Sequence, residues 1–226
     1  MLKAIVFDFD GIIVDSEPLH YRAFQKALEP VGAGFSWPEY VEKYMGFDDR
    51  DAFREAFRAA GLLLSEARLA ELIARKAVLF HDVAAEGVSA YPGVIQLINS
   101  LAGVVPVALC SGALRSDIEP VLQMLSLSAA FDCMVTAEEV PASKPDPASY
   151  LLAIEKLQQR FPEAMITAAG SVAIEDTPAG ITSAKRAGLK VLAVTNSYPA
   201  TELQSADMIV TSLADITNKD LRSLVS

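Results

Sequence analysis

An apolar run near the N-terminus ends in two closely spaced acids. Residues 4–7 (AIVF) are followed by Asp8 and, two positions later, by Asp10. Residues i and i+2 of an extended chain face the same way, so the two carboxylates are expected to lie side by side. At about 5 Å apart and an effective dielectric constant of about 20, they would repel each other by about 3 kcal/mol. Such a pair persists when a cation or a proton neutralises it.

Further polar residues follow other apolar runs. Ser111 and Gly112 come after "VVPVALC", Glu175 and Asp176 after "SVAI", and Lys144 lies in "ASKPDP" before a predicted helix. Ligands of open α/β sheets bind at the carboxyl ends of the strands, which would bring these groups to one crevice. Carboxylates without His or Cys favour a hard cation such as Mg²⁺. The lysine, the serine hydroxyl and nearby backbone N–H groups suit phosphate oxygens, so the set predicts phosphoryl transfer with a carboxylate nucleophile.

Each of these residues also has an ordinary structural interpretation. An acid at a strand end often caps a turn, and Glu175 and Asp176 could simply open the helix that follows. Ser111 could be another cap, and Lys144 a solvated surface lysine. The functional interpretation depends on all of them occurring together at successive strand ends.

The elements that must position these residues are strands that alternate with helices. From Tyr91 onwards short apolar runs alternate with amphipathic segments, whereas residues 16–86 show only helical spacing. Uniformly apolar strands joined by helices indicate a parallel sheet covered on both faces. The sequence predicts an α/β fold, a Rossmann-like doubly wound parallel sheet with an inserted all-helical cap. The predicted core spans 1–14 and 88–226, and the predicted cap spans 15–87.

Composition narrows the possible partners of this 226-residue chain. A net charge of −10 repels nucleic acid and anionic membranes, so neither is expected as a partner. Cys110 and Cys133 lie in apolar runs, and the spacing predicts neither disulfides nor a zinc site. No apolar stretch has the length of a signal peptide or a membrane span. We expect a cytoplasmic monomer that binds a small phosphorylated molecule.

Four segments resemble the motifs of a known superfamily. In chain order, "DFDGIIVDSE", "CSG", "KPDP" and "IEDTPAGI" are similar to the four motifs of the haloacid dehalogenase superfamily. The helical segment after the first motif resembles the α-helical cap of the subclass that includes β-phosphoglucomutase and many sugar-phosphate phosphatases. The resemblance covers nearly the whole chain, and the first motif is its most specific part.

The resemblance implies a role for each acid. Asp8 would be the nucleophile that forms an aspartyl-phosphate. Asp10 would protonate the leaving oxygen and then activate water, which requires a raised pKa while phosphate is bound. Asp176 would bind Mg²⁺ together with Asp8 and the backbone carbonyl of Asp10, and Glu175 would contact the metal indirectly.

The resemblance also implies how the phosphoryl group is held. Ser111, the backbone at Gly112 and Lys144 would bind its oxygens, and Lys144 would offset the charge of Asp8. Gly11 would let the backbone approach closely at the turn.

The cap residues distinguish branches of the superfamily less clearly. The acid Asp10 favours phosphate ester chemistry over dehalogenation. The mutase pattern has a lysine directly before a cap glycine and an arginine after that glycine. Here Met45 precedes Gly46, and the arginine is displaced to Arg50. We therefore expect a phosphatase, with a β-phosphoglucomutase-type mutase as the alternative.

Three cap residues are candidate substrate contacts. Glu17 and His20 match the sugar-phosphate phosphatase branch, although Glu17 could merely open a helix. Arg50, like Arg115, could contact a second anionic group or be a solvated arginine.

An alternative from another class is a non-catalytic phospho-sensing module, because receiver domains also combine strand-end acids with a Ser or Thr and a Lys. The helical insert argues against that module, since it resembles a lid.

Overall fold

The computed structural model describes residues 1–45, 47–84 and 86–225, and within them the strands form one parallel sheet. The strands are β1 (Ala4–Phe7), β2 (Val107–Cys110), β3 (Cys133–Val135), β4 (Ser171–Glu175), β5 (Lys190–Val194) and β6 (Met208–Val210). Their order across the sheet is β3-β2-β1-β4-β5-β6. The order reverses between β1 and β4, which is the topological switch point where doubly wound sheets bind ligands.

Both faces of the sheet are buried, as the uniformly apolar strands predict. In β1, Ile5 and Phe7 belong to one apolar cluster, and Ala4 and Val6 belong to another on the opposite face. Helices α5 (Val94–Leu101), α6 (Arg115–Met124) and α9 (Asn218–Ser223) cover the first face. Helices α7 (Ala148–Arg160) and α8 (Pro178–Arg186) cover the second face. The predicted doubly wound α/β fold is confirmed.

Between β1 and α5, the described residues form helices and no strand. They are α1 (Glu17–Leu28), α2 (Trp37–Glu39), a π-helical turn (Tyr40–Tyr44), α3 (Asp49–Ala59) and α4 (Glu66–Ala84), with a 3-10 turn at Glu29–Val31. Ser36 and Glu39 form a capping box at the start of α2. Gly32 adopts the left-handed conformation with φ 68° and ends the first helical stretch.

This helical insertion has an apolar core of its own. Its centre is aromatic, with Phe24, Phe35, Tyr40 and Phe53 in mutual ring contact or within one cluster. This cluster shares no residue with the two clusters on the faces of the sheet. The division of the chain at residues 15 and 87 stays a prediction.

Two further points concern the helices and the loop that contains Gly46. Across residues 1–45, 47–84 and 86–225, each helix is too short or too polar to cross a lipid bilayer. The alignment with the mutase pattern rests on Gly46, which lies outside the described residues.

Candidate active site

The predicted site residues meet at the switch point of the sheet. Asp8 follows β1 and Asp176 follows β4, and the register places Phe7 opposite Ile174. A cavity of about 70 Å³ opens between these strand ends and the helical insertion. Six of the predicted residues line it: Asp8, Asp10, Glu17, His20, Gly112 and Lys144.

The other predicted residues surround this central cavity. Ser111 and Arg50 line a small adjoining cavity together with Gly112 and Lys144. Glu175 and Asp176 lie behind Asp8, and both are fully buried. All predicted residues therefore surround one site, but Arg50 stands at its margin.

Three buried acids form the most highly charged part of the site. Asp8, Glu175 and Asp176 each offer a carboxylate oxygen within 4.8 Å of the others. Burial, opposed by Lys144 and reinforced by Glu175 and Asp10, raises the pKa of Asp8 to about 8. Burial and the charges of Asp8 and Glu175 raise the pKa of Asp176 well above its usual range. Repulsion on this scale indicates that protons or a cation neutralise the cluster.

The orphaned oxygen of Asp176 tests whether a cation fits. Ser197 donates a hydrogen bond to Oδ2 of Asp176, but Oδ1 is buried and has no hydrogen-bond partner among the described residues. A carboxylate oxygen buried without a donor is unfavourable unless a cation binds it. An all-oxygen donor set suits a hard divalent cation, so the residues present fit the Mg²⁺ that the family resemblance implies.

Lys144 bridges two of the three acids. Its Nζ donates to Asp8 Oδ1 at 2.8 Å, to Glu175 Oε1 at 2.7 Å and to the Cys110 carbonyl at 3.2 Å. Tyr150 donates a further hydrogen bond to Glu175 Oε1 at 2.6 Å. Burial lowers the pKa of Lys144, but Asp8 and Glu175 outweigh it and hold the pKa well above its usual range. Lys144 is therefore a charged group in the site and not a solvated surface lysine.

The interpretation of Glu175 and Asp176 as helix openers does not hold for α8. Thr177 is its N-cap, and the Thr177 hydroxyl accepts the Gly180 N–H at 3.0 Å. The two acids are therefore not needed to cap the helix, and both carboxylates belong to the charged cluster.

Asp10 has a different environment from Asp8. Its Oδ1 accepts hydrogen bonds from Ser16 and from His20 Nε2, the latter at 3.2 Å, and its Oδ2 lies 3.3 Å from Ser111 Oγ. Partial burial raises the pKa of Asp10, but the interaction with His20 and the hydrogen bonds from His20 and Ser16 outweigh it, so the pKa is lowered. The raised pKa that the sequence predicts applies to the phosphate-bound state, in which an added anion would oppose ionisation.

His20 is in turn oriented by Lys76, which sequence reasoning missed. Lys76 Nζ lies 2.8 Å from His20 Nδ1, and an ammonium can only donate. His20 Nδ1 is therefore the acceptor, which leaves Nε2 to carry the proton donated to Asp10. Burial lowers the pKa of Lys76, but Asp49 and Asp117 outweigh it and raise the pKa, so that this fully buried side chain is charged.

A signal for Lys76 is present in the sequence. The buried apolar face of α4 includes Leu69, Leu72, Phe80 and Val83, and Lys76 occupies the position between them where this spacing calls for an apolar residue. A lysine at such a position indicates a buried ion pair. Asp117, from α6 of the core, lies 3.4 Å from Lys76 Nζ, so this pair joins the helical insertion to the core.

The remaining cap candidates also have protein partners. Tyr40 donates a hydrogen bond to Glu17, and burial raises the pKa of Glu17, although His20 opposes it. Arg50 binds Oδ2 of Asp48 through Nε at 2.9 Å and Nη2 at 2.6 Å. Glu17 lines the central cavity. The guanidinium of Arg50, in contrast, is paired with a carboxylate of the same chain.

Gly11 occupies a position that needs glycine. Its φ is +75°, and a Cβ there would lie 1.8 Å from Asp176 Oδ2. Asn196 fixes the same turn by donating to the Gly11 carbonyl at 2.6 Å. As predicted, the backbone approaches closely at this turn.

Comparison with known proteins gives a consistent picture. The family model described as haloacid dehalogenase-like hydrolase matches residues 5–194. Hexitol phosphatase A of Escherichia coli (strain K12) is 31% identical over 219 residues, which cover 95% of this chain and 93% of that protein. The phosphorylated carbohydrates phosphatase of Thermotoga maritima is 27% identical over 191 residues, which cover 84% and 83%. The crystal structure of CbbY from Rhodobacter sphaeroides with phosphate superposes with a TM-score of 0.87 at 24% identity, over 98% of this chain and 99% of that one.

Proposed function

Because this chain belongs to the haloacid dehalogenase-like hydrolase family, we propose that it is a Mg²⁺-dependent phosphatase. Its substrate would be a small phosphorylated metabolite, a sugar phosphate, cleaved through an aspartyl-phosphate. One observation carries the proposal: Asp8 and Asp10 line the same cavity but have different partners. Asp8 belongs to the buried acidic cluster with Lys144, whereas Asp10 is held by Ser16 and His20.

These partners divide the chemistry between the two acids. Asp8, held by Lys144, is positioned for its carboxylate oxygen to attack phosphorus and form the aspartyl-phosphate. Asp10, protonated in the phosphate-bound state, donates its proton to the leaving oxygen and then takes one from the attacking water. His20 keeps the Asp10 carboxyl aimed at the cavity through both steps.

The phosphoryl oxygens need positive and hydrogen-bonding partners. Lys144, Ser111 Oγ and the backbone at Gly112 border the space beside Asp8 and would hold them. Asp8, Asp176 and the Asp10 carbonyl would hold Mg²⁺, which supplies neutralisation of the charge on the transferring group.

The helical insertion, proposed to span residues 15–87, would act as a lid. The central cavity lies between the insertion and the strand ends, with residues of both in its lining. Movement of the insertion away from the core would admit the substrate. Its return would exclude bulk water from the aspartyl-phosphate.

The names of the relatives support a phosphorylated carbohydrate or polyol as substrate. One is a hexitol phosphatase and the other a phosphatase of phosphorylated carbohydrates, and both align with most of this chain. The polar lining of the cavity, with Glu17, His20 and Tyr40, is compatible with a hydroxylated leaving group.

Steady hydrolysis of p-nitrophenyl phosphate in the presence of Mg²⁺ is the first test. We expect Asp8→Asn to abolish phosphate release, because the amide cannot act as the nucleophile, and chelation of Mg²⁺ to abolish it in the unmodified protein. Asp82→Asn, at an exposed position on α4, is the matched control and should keep full activity. No phosphate release from this ester or from a broad sugar-phosphate panel would contradict the proposal and favour a phospho-sensing module. Conversion of glucose 1-phosphate to the 6-phosphate, dependent on a bisphosphate activator, would identify a mutase.

A further inference from the structure

A second cavity lies where the helical insertion meets the core. It has a volume of about 180 Å³ and adjoins the central cavity, since Asp48, Asp49 and Gly112 line both. Its other lining residues are Arg50, Ile73, Leu114, Ala137 and Glu138. We call it the seam cavity. The part of a substrate that lies beyond a phosphoryl group at Asp8 would extend into it.

The described residues that line the seam cavity are mainly acidic or apolar, and Arg50 among them is paired with an acid. Three carboxylates line the cavity, and Asp48 holds Arg50 through two hydrogen bonds to a single oxygen at 2.9 and 2.6 Å. Asp48 is only 4% exposed, so solvent does little to weaken this charge-assisted pair. The Arg50 guanidinium is therefore occupied by a carboxylate of the same chain.

Arg115, the other arginine near this seam, is paired as well. Its guanidinium lies 3.3 Å from Glu119 through Nη1 and 3.3 Å from Glu139 through Nη2. Its backbone N–H also donates to the Glu138 carboxylate, at 3.2 Å. Both arginines that the sequence offers for a second anionic group are thus paired with acids.

Asp49, in contrast, has a carboxylate oxygen that lacks a hydrogen-bond donor among the described residues. Its Oδ1 lies 2.9 Å from Lys76 Nζ, but its Oδ2 is buried and lacks a hydrogen-bond partner among the described residues. A buried acceptor without a donor carries a desolvation penalty, which a hydroxyl or an ammonium would relieve. A phosphate dianion has no proton to donate, and three carboxylates against one guanidinium leave the lining with a net negative charge that would repel it.

We propose that Asp48 and Asp49 determine specificity: they admit a hydroxylated leaving group and exclude a second phosphate. This inference rests on the proposed phosphatase function and defines its substrate class. The substrates are monophosphate esters whose remaining part offers hydroxyl groups, as in polyol and sugar monophosphates. Bisphosphates bind poorly because Asp48 occupies the arginine that could neutralise the second phosphate.

Binding to the Asp8→Asn variant separates this inference from turnover. Calorimetry in Mg²⁺ would compare fructose 1-phosphate, fructose 6-phosphate and fructose 1,6-bisphosphate, so that either phosphate can occupy the nucleophile site. We expect the Kd of the better monophosphate to be lower than that of the bisphosphate by about tenfold or more. Equal or tighter binding of the bisphosphate, or binding of none of the three, would overturn the inference.

A substitution that removes the charge of Asp48 then tests the residue itself. Added to Asp8→Asn, Asp48→Asn keeps an N-cap for α3, where the Asp48 side chain accepts the Asp51 N–H at 2.9 Å, but removes the charge that holds Arg50. The ratio of the bisphosphate Kd to the Kd of the better monophosphate should fall toward one. Glu55→Gln, which removes an acid on the same helix that pairs with Arg58, is the matched control and should leave the ratio unchanged.

An unchanged ratio in the Asp48→Asn background would refute the role of Asp48. The proposed function is read separately, from p-nitrophenyl phosphate hydrolysis by the protein with Asp8 intact. Absence of that hydrolysis with the binding preference present would refute the phosphatase and support the selectivity.

Discussion

At the scale of single residues, the two acids of the opening motif differ through their neighbours. Asp8 is surrounded by other acids and by Lys144, and its pKa is raised to about 8. Asp10 lies two residues away, and hydrogen bonds from His20 and Ser16 contribute to its lowered pKa. A nucleophile must be ionised and a general acid protonated, so the proposed roles require a bound cation to lower the pKa of Asp8 and a bound phosphoryl group to raise that of Asp10. The sequence could predict the pair but not the direction of each shift.

The raised pKa of Asp8 predicts that the proposed Mg²⁺ binding depends on pH. A folded-state pKa above the unfolded value means that the folded metal-free protein holds this proton more tightly, so stability falls as pH rises from about 4 to about 8. A cation competes with that proton, so stabilisation by Mg²⁺ should grow as pH rises. Melting temperatures with and without Mg²⁺ at about pH 6 and about pH 8.5 would measure it. Equal increments at both pH values would contradict this expectation, and Asp8→Asn should reduce the difference but leave the part due to Asp176.

Lys76 offers a second prediction at this scale. Lys76→Met removes a buried ammonium and leaves Asp49 and Asp117 uncompensated, which should cost about 3–5 kcal/mol of folding free energy. His20 Nδ1 would also lose its donor, so the aim of Asp10 should loosen and kcat should fall by about 10- to 100-fold. Urea unfolding and steady-state kinetics would measure both effects.

A double variant separates the two consequences of losing Lys76. Adding Asp117→Asn to Lys76→Met removes one uncompensated charge, so stability should partly return while kcat stays low. Arg75→Met, at an exposed neighbouring position on α4, should change neither quantity. Recovery of kcat together with stability would show that Lys76 acts only on folding.

At the scale of elements, Asp207 lies directly before the edge strand β6 and connects that strand to β5 and α8. Asp207 accepts hydrogen bonds from Lys185 of α8 at 2.8 Å, from Lys190 of β5 at 3.1 Å and from the Val191 N–H at 2.8 Å. Partial burial raises the pKa of Asp207, but these donors outweigh it and hold the pKa below its usual value. The ionised form therefore stabilises the attachment of β6.

The lowered pKa of Asp207 fixes the pH range of that stabilisation. It is present above the unfolded pKa of about 4 and is lost as pH falls through the folded value. Asp207→Asn should cost about 1 kcal/mol at about pH 7 and less at about pH 3. Urea unfolding at both pH values checks this, with the exposed Asp215→Asn as control. A loss of the same size at both pH values would show that the charge is irrelevant.

At the scale of the whole molecule, the predictions succeeded where short-range patterns decide the structure. Apolar runs that end in polar residues located the strands, and helical spacing located the insertion. Lys76, Ser16 and Ser197 were missed, because each acquires its role from a partner that only the tertiary fold brings near. Arg50 shows the same limit: its type suggested an anion contact, but its bond to Asp48 is a property of the folded chain.

The separate aromatic core of the helical insertion has a consequence for how such a protein changes over generations. Substitutions among its packed rings alter the surface facing the leaving group without touching the clusters that hold the sheet. Selection for a new substrate can therefore act on the apolar core of the insertion while the strand-end acids Asp8, Glu175 and Asp176 stay unchanged. The Lys76–Asp117 pair is one place where the insertion and the core share a buried charge, so a change at either residue would require a change at the other.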